Sequence, residues 1–102
     1  MVNVPDDQVA SRLLDRIDQK SGERDTLLIV LYKPKRMAEE EWACEYSIES
    51  RASPPRRRAI FGVDAMQALV LSLRTIHAEL DALRSRGVDL RWFGDSDLGF
   101  RE

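Results

Sequence analysis

Apolar residues recur at alternating three- and four-residue steps from Met66 through Leu69, Leu73, Ile76 and Leu80 to Leu83, with Val70 widening the stripe. That spacing predicts one long amphipathic helix. Asp64 stands just before the run and Gln67 three residues later, a capping-box arrangement in which the carboxylate accepts an orphan N–H and the amide reaches back. At the far end Arg84 and Arg86 complement the helix dipole, and Gly87 suits a left-handed C′ position. A helix over residues 64–86 would be about 33 Å long at ~1.5 Å per residue.

The rest of the chain has the period of strands. Thr26 to Tyr32 is a continuous apolar, partly β-branched run closed by Pro34, as expected of a strand covered on both faces. Trp42, Cys44, Tyr46 and Ile48 alternate with Ala43, Glu45, Ser47 and Glu49, the pattern of a half-buried strand. Between these two, residues 33–41 read as a charged hairpin connection, and residues 51–58 as a second loop because paired prolines suit no strand interior. Ala59 to Phe61 then forms a short strand leading into the helix.

Residues 9–18 fit two patterns. Val9, Leu13 and Ile17 recur at helical spacing, yet they also share one face of a strand, and Lys20-Ser-Gly-Glu23 fits a hairpin turn into the next strand. The strand is preferred because it gives the Leu27 strand a neighbour. After Gly87, Val88, Leu90 and Trp92 alternate as a short extended segment. A turn-rich tail follows, whose Leu98 and Phe100 are expected to pack back on the body. The fold class that emerges is α+β: an antiparallel meander of about four strands, one long helix across a face, and a short extended C-terminal segment. A single domain over residues 1–102 is expected, with residues 1–8 as a flexible lead-in.

Composition narrows the function classes. A third of the 102 residues are charged, but the formal net charge is only −2, so global charge points to neither nucleic acid nor an anionic membrane. No apolar stretch approaches the roughly 20 residues that span a bilayer. The opening Met-Val-Asn-Val-Pro-Asp-Asp lacks the basic and apolar regions of a secretory signal, and a single cysteine cannot form an internal disulfide. A cytoplasmic domain is the expectation.

Four segments in order carry a resemblance: Trp42-Ala-Cys-Glu-Tyr-Ser-Ile48, Phe61-Gly-Val-Asp-Ala-Met-Gln-Ala-Leu69, Leu90-Arg-Trp-Phe-Gly-Asp95 and Asp97-Leu-Gly-Phe100. From about Arg12 onward the chain resembles the DUF6968-type domains, a small uncharacterised bacterial family. The resemblance implies a stand-alone domain of this length and a strand around Leu13. It brings no activity, cofactor or catalytic residue.

Candidate chemistry is sparse. His77, the only histidine, borders the apolar stripe, with Asp81 four residues on to orient it as a general base. Cys44 alternates inward with Trp42 and Tyr46, as a small buried hydrophobe does. An enzyme using His77 or Cys44 is therefore the least favoured reading, and no catalytic, cofactor or metal site is expected. Asp95-Ser-Asp97-Leu-Gly99 begins like a calcium loop but lacks its later ligands, so an Asx turn is the better reading. Arg51 with Arg56, Arg57 and Arg58 forms a stiff basic loop able to touch a polyanion or an acidic partner. No aromatic-interleaved motif or recognition helix accompanies it, which disfavours nucleic acid. The second apolar face of the Leu27–Leu31 strand needs a cover, from the tail or from another subunit. The leading expectation is a small non-catalytic interaction module that acts through a sheet face or as a homodimer, with nucleic-acid binding by the arginine loop as the alternative.

Overall fold

The structure is a computed structural model and describes residues 7–51 and 55–100. Its strands are β1 (Gln8–Asp18), β2 (Arg24–Tyr32), β3 (Lys35–Ala38), β4 (Glu41–Glu49) and β5 (Arg57–Gly62); helix α1 (Ala65–Ser85) and strand β6 (Val88–Arg91) follow. They build a curled antiparallel sheet in which β5 flanks β4, β4 pairs with β2, β2 with β1, and β1 with β6. Strand β3 continues the line of β2 and pairs with the first residues of β4. The fold is thus α+β as the pattern predicts, but six strands take part rather than about four.

The strands added to the expected four are β3 and β6, and charge disguised β3 and the start of β5. The Lys33–Glu41 connection contains β3, turned back into β4 at Glu40, which adopts φ 57°. The loop expected over residues 51–58 ends at Arg57, where β5 already begins. Both are edge strands, where one side of the ladder faces water and charged side chains cost little. The C-terminal extended segment is β6, paired with the last residues of β1.

Residues 9–18 are strand throughout. Leu14 is the buried residue of β1, while Leu13 is 58% exposed and Val9 54%. The apolar trio therefore marks the outer face of β1, and Arg12 and Leu14 point toward the helix. The expected lead-in lies mostly outside the described residues, but Asp7 and Gln8 are held: Gln8 pairs with Tyr32, and Asp7 accepts two hydrogen bonds from Arg57.

Both ends of α1 obey the sequence. Asp64 Oδ1 accepts from Gln67 N at 2.7 Å, and Gln67 Oε1 accepts from Val63 N at 2.8 Å, so the return bond reaches one residue further back than the usual box. Gly87 takes φ 92° beyond the Arg86 cap. The buried face is rotated from the predicted stripe. Ala68, Ser72, Ile76 and Leu80 are buried, whereas Met66 is 68% exposed and Leu73 sits at the margin.

The reason is the close approach of α1 to β4 and β5. Ser72 donates to the Cys44 carbonyl at 3.0 Å, and a Cβ on Gly62 would stand 2.5 Å from Ala68 N. Only small side chains fit between backbones this close. The larger residues Val70, Leu73 and Leu83 are displaced to the flanks, where they line clefts on either side of the helix. The core joins Leu14, Leu27, Ile29, Leu31, Cys44, Tyr46, Ile76, Leu80 and Leu90. Leu98 belongs to it as well, so the tail covers the helix side of the sheet and not the second face of β2. On that second face Tyr32 is shielded by the Arg57 guanidinium, 3.5 Å above its ring, and its hydroxyl meets Ser47 Oγ at 3.3 Å.

Candidate functional site

The first cleft, about 790 Å³, lies between α1 and the β1–β2 half of the sheet. Ile29 and Leu31 form its floor, and Val70, Leu73 and Ile76 its helix wall. Ala10, Ser11 and Arg12 of β1 form the opposite rim, and Gly99 and Phe100 close one end. Arg12 holds that end together. It donates to the Leu98 carbonyl at 3.0 Å and lies 3.9 Å over the Trp92 ring and 5.2 Å from the Phe100 ring. Gly99 is required there, since a Cβ would come within 2.7 Å of Trp92. Arg74 and His77 stand on the helix rim, and His77 Nε2 is 3.2 Å from Asp81.

Beside this cleft β1 has an open edge. Strand β6 pairs only with Asp15 to Asp18, so among the described residues the stretch Gln8 to Leu14 has a backbone partner on the β2 side alone.

The second cleft, about 660 Å³, opens on the other side of α1 above β4. Arg16, Arg56, Arg58 and Arg86 line it over a floor of Leu27, Ile48 and Leu83. Glu79 is its single acidic residue; it accepts the Tyr46 hydroxyl hydrogen bond and lies 3.5 Å from Arg58. Burial, reinforced by that hydrogen bond, pushes the Tyr46 hydroxyl up to about 12.

The arginine run is therefore divided by the strand's period of two. Arg58 pairs opposite Tyr46 on the helix side, and Arg57 opposite Ser47 on the outer face. Arg57 is engaged there with Asp7, whose carboxyl it holds below the usual carboxylate range. Arg51 does not line the cleft; its backbone N–H donates to Asp25, which Arg16 also faces. Arg16 and Arg86, which complete the basic cleft, are distant in sequence and give no local signal.

The residues considered for catalysis do not assemble. Cys44 is fully buried, its thiol donates to the Tyr32 carbonyl at 3.4 Å, and burial raises its pKa, the opposite of what activates a nucleophile. His77 is on the first cleft's rim, with Asp81 as its partner. Among the described residues no three His, Cys, Asp or Glu converge as metal ligands. Asp95 and Asp97 accept from the N–H groups of Asp97 and Gly99, forming successive Asx turns. No helix among the described residues is long and apolar enough to cross a membrane.

Neither a curated protein nor a solved structure matches this chain. A family model does, over residues 10–102, which takes in almost all of β1 and every later element, the rims of both clefts included. The chain belongs to that family, DUF6968, a domain of unknown function.

Proposed function

We propose that this domain is a non-catalytic interaction module that takes up an extended segment of another polypeptide along β1. The observation that carries the reading is the juxtaposition of an unpaired strand edge, Gln8 to Leu14, with an apolar cleft bounded by the same strand and α1. A strand added to such an edge gains main-chain hydrogen bonds, and every second side chain turns toward the cleft, where pockets confer specificity. Leu73 and Val70 on the helix would receive those side chains, and Val9 and Leu13 would contact the alternate ones on the outer face. Arg74 at the rim favours a segment with an acidic group beside its apolar residues. Action in the cytoplasm is part of the proposal, since the single cysteine is a free buried thiol.

The test is to pan a random-peptide phage library against the full chain and measure the selected peptides by fluorescence anisotropy. Saturable binding that weakens at least about tenfold in both Leu73→Asp and Val9→Lys supports the reading. Light scattering is recorded in parallel, because a dimer abolished by Val9→Lys would identify the partner strand as a second copy of β1. A strictly monomeric protein that selects no peptide, or that binds equally well in both variants, refutes it.

A further inference from the structure

The second cleft carries an independent inference. Four arginines line it from separate parts of the chain: Arg16 from β1, Arg56 and Arg58 from the approach to β5 and the strand itself, and Arg86 from the end of α1. Glu79 is the one carboxylate in the lining, and it is already shared between the Tyr46 hydroxyl and Arg58. Arg16 also faces Asp25 across the ladder and Asp18 two residues on, and those carboxylates accept from the backbone N–H groups of Thr26 and Arg51 and of Lys20 and Ser21. Arg16 is half-buried and Arg56, Arg58 and Arg86 are exposed around an apolar floor of Leu27, Ile48 and Leu83, so like charges repel one another across the cleft. A bound anion relieves that repulsion.

We propose that this cleft binds a small organic phosphate monoester, its phosphoryl group held by Arg16, Arg56 and Arg86 and its flat apolar body laid on Ile48 and Leu83. A dianionic phosphoryl group offers three oxygens and matches several guanidinium forks at once, whereas a carboxylate offers two oxygens and a single charge. The cavity of about 660 Å³ is of the size that encloses a small ligand. The geometry also separates this ligand from a nucleic-acid strand. The four arginines line one cleft, while Arg57 is turned to the opposite face, so the basic run does not form one continuous track for a polymer backbone.

Isothermal titration of the full chain at low salt with phenyl phosphate, benzoate and phenol tests this, with a single-stranded oligonucleotide as a further arm. Phenyl phosphate is expected to saturate one site, with benzoate and phenol each at least about tenfold weaker. Arg16→Ala and Arg86→Ala should each lose roughly tenfold, the worth of a charge-assisted hydrogen bond. Glu79→Gln should bind more tightly, because it removes the competing negative charge and releases Arg58. That gain cannot arise from a damaged fold. Absence of phenyl phosphate binding, equal binding of benzoate, indifference to the arginine variants, or tighter binding that grows with oligonucleotide length would each overturn the assignment.

Discussion

Replacing Gly62 by alanine tests the claim that backbone proximity sets the phase of α1. The added Cβ would lie 2.5 Å from Ala68 N and 3.0 Å from both Ala68 Cα and Gln67 C. All three are backbone atoms, so no side chain can swing away. The end of β5 or the first helical turn must shift by roughly an ångström, and that turn is fastened by the Asp64–Gln67 and Gln67–Val63 hydrogen bonds. Overpacking of this kind costs ~1–3 kcal/mol, and loosening the cap adds about 1 kcal/mol. Against this stands a gain of ~0.4–1 kcal/mol from the stiffer unfolded chain. The expected net loss is about 2 kcal/mol, or a fall in Tm of roughly 8–16 °C for a domain of this size. Urea titration followed by tryptophan fluorescence and circular dichroism should show a lower midpoint with an unchanged m-value. Adding Ala68→Gly should give no rescue, because the clash is with the Ala68 backbone and not its methyl group. A Gly62→Ala protein within about 0.5 kcal/mol of the parent, at the noise of ordinary surface changes, would refute the reasoning.

Three further outcomes are expected. Asp64→Ala should cost about 1 kcal/mol in the same urea assay, by releasing the Gln67 N–H it now accepts. Tyr46 should make stability fall at high pH: its folded pKa is raised from an ordinary 10 to about 12, so the contribution is complete below pH 10 and lost as pH climbs through 12. That contribution is on the order of 2 kcal/mol, and Tyr46→Phe should remove most of the alkaline loss between pH 9 and pH 11.5, as seen in unfolding midpoints across roughly that range, leaving the part from the buried Cys44 thiol. Gly99→Ala forces a side chain into φ 79° and against the Trp92 ring, so the tail should detach, giving red-shifted tryptophan emission at a cost of about 1–3 kcal/mol; unchanged emission would count against the Arg12 clamp.

The sequence by itself determined the limits of the helix, the β2 and β4 strands and the inward side of Cys44 and Tyr46. Caps, Gly87 and a period of two act within a few residues, so their physics is local. It determined only part of the buried face of α1. The helical spacing of large apolar residues correctly placed Ile76 and Leu80 in the core but also named Met66 and Leu73, while the rest of the buried face is Ala68 and Ser72, whose smallness matters only because β4 and β5 pass so near. Charge concealed β3 and the start of β5, because strands at a sheet edge tolerate the lysines and arginines that otherwise signal loops. The same limit governs the sites. Arg56, Arg57 and Arg58 were legible as a basic run, but pleating sends Arg57 and Arg58 to opposite faces, and Arg16 and Arg86 join the cleft only through the pairing of β1 and the ending of α1. The free edge of β1 likewise exists because β6 is four residues long and stops at Asp15. Local propensity wrote the elements into the chain; the distances between them, which only tertiary packing fixes, decided what those elements leave open to bind.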